Sequence, residues 1–270
     1  MMSYKSNHLF ACDNPRSYPK TDKFQAMDHP SSLPTIIVPA RLASTRFPNK
    51  LLADAGGMPL ILRTAFRLAD QVPEYELFFA VDGTKIAQPL KQNGFNCIMT
   101  DPELPSGTDR IAMANQTLQR AEILNVQADE PMVSRFHILA LTKALQKEGA
   151  DLATLATPFS KEEDFQDTNQ VKVVLDREGF ALFFSRSPLP YDRENRGRLN
   201  SASFKHLGMY GYRQQFLADF INLPNGVLEK IEKLEQLRAL ENGRKISVEI
   251  VQEGTIGVDS EEDLALLTFE

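Results

Sequence analysis

The chain has 270 residues, of which 42% are hydrophobic and 24% are charged, a composition typical of globular proteins. Its formal net charge of −6 argues against nucleic acid or an anionic membrane as a partner, so an anionic ligand would need a local cluster of cations. The sequence has no apolar run of ~18 residues, which argues against a spanning helix. Two isolated cysteines, Cys12 and Cys97, form no metal or disulfide pattern and suit the cytoplasm.

Residues 1–34 differ in character from the rest of the chain. They are polar, contain four prolines and show no sustained periodicity. They also lack the continuous apolar core of a secretory signal. This composition predicts a poorly ordered extension followed by a folded domain over residues 35–270.

From residue 35 the chain alternates short apolar runs with stretches of helical spacing. The apolar runs predict strands at 35–40, 76–82, 96–100 and 122–133. The stretches between them predict helices at 58–71, 85–94, 106–120 and 135–149. Strands that alternate with helices of this length form βαβ units, so the pattern predicts a Rossmann-like α/β fold with a mostly parallel sheet flanked by helices.

The second half of the chain has a different pattern. It predicts a strand hairpin at 171–190, a polar loop at 191–203 and an aromatic-rich strand at 204–213. The insertion from about 155 to 220 is the best candidate for a smaller lobe. The end of the chain predicts a long helix at 227–243, a strand at 245–251 and a helix at 260–269.

Three cations follow the first predicted strand: Arg41, Arg46 and Lys50. Their spacing is not that of a Walker loop. With backbone amides at a strand end and the hydroxyls of Ser44 and Thr45, the segment still offers what a nucleoside triphosphate needs. The alternative is a solvated charged loop.

Acidic residues follow two other predicted strands. Asp129 and Glu130 lie at the tip of the strand at 122–133, and Asp259 follows the strand at 245–251. Because ligands of such sheets bind at the carboxyl ends of the strands, we expect these acids and the cations at one edge. Carboxylates there could hold Mg²⁺ to phosphates. The alternatives are a helix cap for Asp129 and a turn for Asp259.

Two further polar residues have ambiguous positions. Glu235 borders the apolar side of the predicted helix at 227–243, so it either reaches solvent at the edge or faces a polar ligand. His206, within the predicted strand at 204–213, is either an ordinary core or edge histidine or a hydrogen-bonding partner of a substrate.

Several ordered motifs between residues 35 and 268 resemble those of the CMP-Kdo synthetases, the 3-deoxy-manno-octulosonate (Kdo) cytidylyltransferases. The motifs are PARLASTRFPNK, MTDPELPSGTDR, NVQADEPM, VKVVLDREGFALFFSRSPLPYDR, KHLGMYGYR, LEKIEKLEQLRALENG and IGVDSEEDL. The resemblance implies a fold of the nucleotide-diphospho-sugar transferase type. It also implies that the enzyme transfers CMP from CTP to Kdo, with release of pyrophosphate and with Mg²⁺ as cofactor.

The resemblance also implies roles for individual residues. Catalytic roles fall to Arg41, Lys50, Asp129 and Asp259. The nucleotide would contact Pro39, Ala40, Arg41, Ser44, Arg46, Lys50, Ser106, Gly107, Thr108 and Asp109. The sugar acid would contact Gln127, Arg186, His206, Tyr210, Glu235 and Gln236. Magnesium would be held by Asp129 and Asp259.

Two positions depart from the family pattern, which usually has glycine where this chain has Asn49 and Ala128. Asparagine tolerates a positive φ, so Asn49 is expected to be a mild change. The added Cβ of Ala128 could crowd the ligand or signal a changed sugar.

The family further implies a cytoplasmic homodimer that serves lipopolysaccharide or capsule synthesis. Two alternatives remain open at this point. The chain could be a cytidylyltransferase for another acidic sugar, such as 8-amino-Kdo or a sialic-type acid, or a nucleotide-binding protein without catalytic activity.

Overall fold

The first half of the chain folds into parallel strands joined by helices. The computed structural model describes residues 33–43 and 47–268, which all fall within one compact unit. The strands are β1 (Thr35–Ala40), β2 (Leu77–Val81), β3 (Asn96–Met99) and β4 (Glu122–Asn125), in the spatial order β3-β2-β1-β4. The helices are α1 (Leu60–Gln71), α2 (Thr84–Gln92), α3 (Gly107–Leu118) and α4 (Arg135–Leu145). All these strand pairs are parallel, as the βαβ pattern predicts.

The second half extends the same sheet beyond β4. Its strands are β5 (Leu152–Pro158), β6 (Lys172–Leu175), β7 (Ala181–Ser185), β8 (Phe204–Arg213) and β9 (Ile246–Ile250). Its helices are α5 (Glu162–Gln166), α6 (Gln214–Phe220), α7 (Val227–Glu232), α8 (Leu237–Glu241) and α9 (Glu261–Leu266). The order continues as β4-β8-β5-β9, and β6 pairs with both β7 and β8. The predicted hairpin and the strand at 204–213 are confirmed, whereas β5, α5 and α6 were not predicted.

Strand direction decides which ends of the strands meet. β8 is antiparallel to both β4 and β5, and β5 is parallel to β9. Because β4 and β1 are also parallel, β1, β4, β5 and β9 all run in one direction. The predicted mostly parallel sheet is therefore confirmed, and the segments that follow β1, β4 and β9 leave the sheet at the same edge.

Helices cover both faces of the sheet, and β1 shows how. Ile36 and Val38 belong to one apolar cluster, whereas Ile37, which points to the opposite face, belongs to a second. All three side chains are fully buried. A continuous apolar run is therefore required for a strand in this central position. No helix within the described ranges is long and apolar enough to cross a membrane.

The predicted strand at 122–133 is wrong in length. β4 ends at Asn125, and the next residues form turns in which Glu130 N donates to Gln127 O (3.2 Å) and Val133 N donates to Glu130 O (3.3 Å). The buried apolar side chains of this segment belong to the core below the sheet edge, so their hydrophobicity does not indicate a strand. Asp129 therefore lies in a loop beyond the strand.

The predicted long helix at 227–243 is also wrong, because it is two short helices, α7 and α8. Lys233, between them, has a left-handed backbone (φ 54°) that ends α7. Val227 and Ile231 are 68% and 72% exposed, so the expected apolar stripe does not continue through α7. Glu241, in α8, accepts hydrogen bonds from the amide nitrogens at the start of α7 and folds the two helices against each other.

The strands and helices do not test the predicted N-terminal extension, the smaller lobe or the domain limits. The predicted extension lies almost wholly outside the described residues, which begin at residue 33. The strands between about 155 and 220 pair with the main sheet. The smaller lobe at that position and the domain limits stay predictions.

Candidate active site

Lys50 lies at the centre of the sheet edge where β1, β4 and β9 end. Its ammonium nitrogen Nζ is 2.5 Å from Asp129 Oδ2 and 3.5 Å from Asp259 Oδ1. Lys50 is only 8% exposed, whereas the side chains of Asp129 and Asp259 are 28% and 56% exposed. The structure thus brings together a cation and two acids that the sequence places up to 209 residues apart.

The turn before Lys50 aims its side chain at these acids. Lys50 begins a short 3-10 helix, and Asn49 precedes it with φ 56° and ψ 24°, in the left-handed region. Asparagine is among the residues that adopt this region at low cost. The expectation that Asn49 is a mild replacement for glycine agrees with this geometry.

The backbone holds the two acids side by side. Val258 N donates to Asp129 O at 2.9 Å, which joins the loop after β9 to the loop after β4. The Asp263 carboxylate then accepts hydrogen bonds from Asp259 N (2.9 Å) and Ser260 N (2.8 Å) at the start of α9. Ser260 caps this helix, as its sequence position predicts.

The loop after β1 is bound by Asp82, whose carboxylate lies near a buried arginine, Arg110. Arg110 is 1% exposed, and its Nη1 donates to Thr100 Oγ1 (2.5 Å) and to Asp101 O (3.2 Å). Burial lowers the pKa of this guanidinium, and the Asp82 carboxylate opposes that shift. Asp82 also accepts a hydrogen bond from Leu42 N at 2.8 Å. Sequence reasoning missed Arg110, because a charged residue in the first turn of a helix is usually exposed.

Arg41 itself is exposed at the start of that loop, next to the buried β1 residues Pro39 and Ala40. Ser44 and Arg46 lie outside the described residues. Their proposed contacts with a nucleotide stay predictions.

The Ser106–Asp109 segment reaches the same edge at the start of α3. Ser106 caps the helix by accepting a hydrogen bond from Asp109 N (3.1 Å), and its hydroxyl donates to Asp109 Oδ2 (2.6 Å). A side chain at Gly107 would come within 3.4 Å of Pro39 and 3.9 Å of the Gln127 amide oxygen. The structure therefore places Gly107, Pro39 and Gln127 together. Their contacts with a nucleotide and a sugar stay predictions.

Glu235 and Gln236 lie in the turn between α7 and α8. Thr108 Oγ1 donates to Glu235 Oε2 at 2.6 Å, and Arg238 Nη2 lies 3.8 Å from Glu235 Oε1. Burial raises the pKa of the Glu235 carboxyl. Gln236 is 5% exposed, and its Nε2 is buried without a hydrogen-bond partner in the part of the chain that the structure describes.

Arg186 is held by backbone carbonyl groups. Its Nε donates to Glu232 O at 2.7 Å, and its Nη1 donates to Thr168 O at 3.1 Å. A guanidinium has five N–H donors, so these bonds use only part of its capacity. The predicted contact with a sugar carboxylate stays a prediction.

His206 lies within β8, and only 8% of its surface is exposed. Its Nε2 is 2.9 Å from Thr154 Oγ1, and that hydroxyl lies 2.7 Å from Met209 O. The single hydroxyl proton goes to the carbonyl, so Nε2 carries the imidazole proton and donates. The Tyr210 ring lies 5.5 Å from the His206 ring. Both residues adjoin the site, but His206 already has an internal partner.

The burial of His206 predicts a loss of stability in acid. Burial lowers its pKa from 6.5 to about 3, so between these values the unfolded chain binds a proton that the folded chain does not. Stability is full above pH 6.5 and falls by about 1.4 kcal/mol per pH unit below it. In urea unfolding at pH 7 and pH 5, the wild type should lose about 2 kcal/mol more than His206→Gln. Equal losses would contradict this assignment.

Glu130 is a partly buried acid that sequence reasoning noted beside Asp129 without assigning it a role. Burial raises its pKa to about 7, and the negative charge of Asp129 adds to the shift. A Cβ at Gly257 would lie 3.0 Å from Glu130 Oε1. A side chain at position 257 would therefore require the Glu130 carboxylate to shift.

Ala128 does not crowd the site in the way that the sequence suggested. It is 4% exposed and belongs to the apolar core cluster, so its methyl group packs with core side chains. Its backbone oxygen accepts a hydrogen bond from Thr64 Oγ1 at 2.8 Å.

We therefore expect Ala128→Gly to destabilise the protein without improving catalysis. The loss of a buried methyl group and the added freedom of the unfolded chain should lower the free energy of unfolding by about 1–2 kcal/mol. The measurements are urea unfolding and the rate of pyrophosphate release. A severalfold gain in rate would show instead that the methyl group obstructs the ligand.

Comparison with known sequences places the chain in a family. A profile of the cytidylyltransferase family matches residues 35–246. The 3-deoxy-manno-octulosonate cytidylyltransferase of Thermodesulfovibrio yellowstonii is 43% identical over 239 residues, which are 84% of this chain and 94% of that protein. The protein of the same name from Chlorobium chlorochromatii is 40% identical over 235 residues, covering 86% of this chain and 94% of that protein.

Solved structures agree with the sequence relatives. A CMP:2-keto-3-deoxy-manno-octonic acid synthetase complexed with CTP aligns with a TM-score of 0.79 and 34% identity, covering 87% of this chain and 98% of its own. A cytidylyltransferase from Leptospira borgpetersenii has a TM-score of 0.53 at 14% identity, covers 86% of this chain and 83% of its own, and supports the fold alone. From the family profile, the sequence identities and the shared fold together, this chain belongs to the 3-deoxy-manno-octulosonate cytidylyltransferase family of nucleotidyltransferases.

Proposed function

We propose that this enzyme transfers CMP from CTP to Kdo, giving CMP-Kdo and pyrophosphate. The observation that carries the proposal is the position of Lys50 between Asp129 and Asp259, at the edge where parallel strands end. The names of the family members support Kdo as the acceptor, and the CTP complex of the solved relative supports CTP as the donor.

The reaction joins the sugar to the nucleotide through one phosphorus atom. The anomeric hydroxyl of Kdo attacks the α-phosphorus of CTP, loses its proton and forms the new P–O bond as the bond to pyrophosphate breaks. Negative charge develops on the phosphate oxygens, so the protein accelerates the step mainly by neutralising charge and holding the reactants in line. In our proposal Lys50 and Arg41 bind the triphosphate, with Ser44 and Arg46 in support.

The acids around Lys50 fit a magnesium ion. Asp129 and Asp259 are both partly exposed, so a bound ion could reach them. Among the described residues there is no group of three or more potential metal-binding side chains, so the protein would supply only these two carboxylates. Magnesium is usually bound by one or two carboxylates together with waters and substrate phosphates. We propose that Asp129 and Asp259 hold Mg²⁺, which when bound would neutralise phosphate charge.

Polar groups of the α7–α8 turn would bind the sugar. The amide Nε2 of Gln236 is a buried donor without a partner among the described residues, and the Glu235 carboxylate accepts hydrogen bonds. A buried donor without a partner destabilises the protein, and a sugar hydroxyl that accepted its hydrogen bond would remove that penalty. Arg186 would bind the sugar carboxylate, with Gln127, His206 and Tyr210 nearby.

The test is release of pyrophosphate from CTP with a panel of acidic sugars. We expect turnover with Kdo to depend on CTP and Mg²⁺, and CMP-Kdo to be the product by mass spectrometry. Turnover only with 8-amino-Kdo or a sialic-type acid would overturn the assignment of the acceptor. Binding of CTP without turnover on any sugar would overturn the enzymatic assignment.

Three wider features complete the proposal. By analogy with the family, the enzyme would act as a homodimer, in the cytoplasm, in the supply of an activated sugar for lipopolysaccharide or capsule. Sedimentation of the purified protein tests the first of these. A monomer that is fully active would contradict it.

A further inference from the structure

Thr108 connects the two halves of the active site. It is the second residue of α3, directly after Gly107, yet it is only 3% exposed. Its hydroxyl donates to Glu235 Oε2 at 2.6 Å, across 127 residues of sequence. The hydroxyl of Thr108 is therefore engaged by the turn between α7 and α8 and does not face solvent.

The Glu235 carboxylate depends on this donor. Arg238 is near, but its guanidinium already binds Glu229 through Nε (3.0 Å) and Nη2 (2.5 Å), and it lies 3.8 Å from Glu235. The Ser106 hydroxyl is engaged elsewhere, because it donates to Asp109 Oδ2 at 2.6 Å. Thr108 thus gives the Glu235 carboxylate a direct hydrogen bond, whereas Arg238 lies farther away at 3.8 Å.

Thr108 is itself held against the sheet. Its helix, α3, packs on β1 and β2, and the buried Tyr212 side chain of β8 lies beside it. The Thr108 hydroxyl therefore reaches the turn between α7 and α8 from a packed position.

The turn that carries Glu235 lacks the support of a regular helix. Lys233 breaks the helix with a left-handed residue, so Glu235 lies outside both α7 and α8. A carboxylate in a short turn has more freedom than one on a packed helix, and binding sites work best when their side chains are held in place.

We propose that Thr108 is a positioning residue that holds the Glu235 carboxylate in the orientation that receives the sugar acid. The inference rests on the proposed function, in which Glu235 binds the sugar. It assigns the Thr108 hydroxyl to the acceptor site, whereas the family resemblance implied that Thr108, like Ser106 and Gly107, contacts the nucleotide.

The experiment compares pairs of variants that differ by this hydroxyl. Thr108→Val keeps the shape and removes the donor, and Thr108→Ser keeps the donor. In the pyrophosphate assay, we expect Thr108→Val to raise KM for Kdo about 10-fold or more, since bonds to charged groups are the stronger ones. The KM for CTP should change less than about threefold, and Thr108→Ser should stay near the wild type for both substrates.

A matched control separates positioning from general stability. Thr142 is a buried threonine on α4 whose hydroxyl donates to Ile138 O at 2.8 Å, so Thr142→Val should lower stability without changing either KM. If Thr108→Val does not fold, Thr108→Ser and Thr108→Ala form a second pair that differs by the hydroxyl alone.

The outcomes are distinct. If the wild type turns over Kdo but Thr108→Val raises both KM values equally or neither, the inference is overturned and the proposed function stands. If the wild type itself does not turn over Kdo, the proposed function fails. If Thr108 acts through Glu235, the KM for Kdo of the double variant Thr108→Val/Glu235→Gln should rise less than the product of the increases in the two single variants. An increase equal to that product would also overturn the inference.

Discussion

Replacing Lys50 with methionine should lower kcat/KM for pyrophosphate release by about 10³-fold, at the upper end of what the loss of one charge-stabilising group costs. The ammonium group touches both Asp129 and Asp259, and methionine keeps its length without its charge. The variant would place two carboxylates beside the incoming triphosphate with no cation between them. Steady-state kinetics in which the CTP concentration is varied at saturating Kdo measure the effect.

A second lysine provides the control. Lys143 pairs with Glu249 at 2.6 Å, but its side chain is 72% exposed and the pair lies on the surface. Surface pairs of this kind contribute little, so Lys143→Met should leave kcat/KM within about twofold of the wild type. If Lys50→Met retained more than a tenth of the activity, the central role of Lys50 would have to be abandoned.

Replacing Asp129 with asparagine should lower turnover by roughly 10²- to 10³-fold, because it removes the charge of one of the two carboxylates proposed to hold Mg²⁺. The shape of the side chain is kept, and the bond from Val258 N goes to the backbone oxygen of Asp129, so the loop should stay in place. We therefore expect an unchanged melting temperature. The concentration of Mg²⁺ needed for half-maximal activity should also rise.

Asp164, an exposed residue of α5, is the matched control for this change, and Asp164→Asn should have normal kinetics. Near-normal turnover of Asp129→Asn, with the same requirement for Mg²⁺, would remove Asp129 from the proposed metal site. A parallel fall in turnover and melting temperature would instead indicate a structural role for this carboxylate.

The first half of the fold could be predicted closely. β1 is continuously apolar and lies between two parallel neighbours, so its sequence carries the full signal of a buried strand. β5 is just as buried along most of its length, but its sequence LATLATP contains two alanines and a proline, which are depleted in strands, and no valine, isoleucine or aromatic residue. Pairing with β8 and β9 makes it a strand, and that pairing is not visible locally.

The prediction of one long helix at 227–243 was wrong for a related reason. Val227, Ile231, Leu234 and Leu237 have helical spacing, but spacing cannot show which of them will find an apolar surface to cover. Only Leu234 and Leu237 are buried. The break at Lys233 then puts Glu235 in a turn, and its contact with Thr108 follows from that break and from the position of α3.

The order of strands and helices along the chain, together with the family motifs, was enough to predict a parallel sheet with Lys50, Asp129 and Asp259 at one edge, because parallel strands leave a sheet on the same side. Tertiary structure alone decided which side chains meet within that edge. It buried Arg110 against Thr100 and Asp101 and turned the methyl group of Ala128 into the core. Such contacts depend on distances between segments remote in sequence, and local patterns of polarity carry no information about those distances.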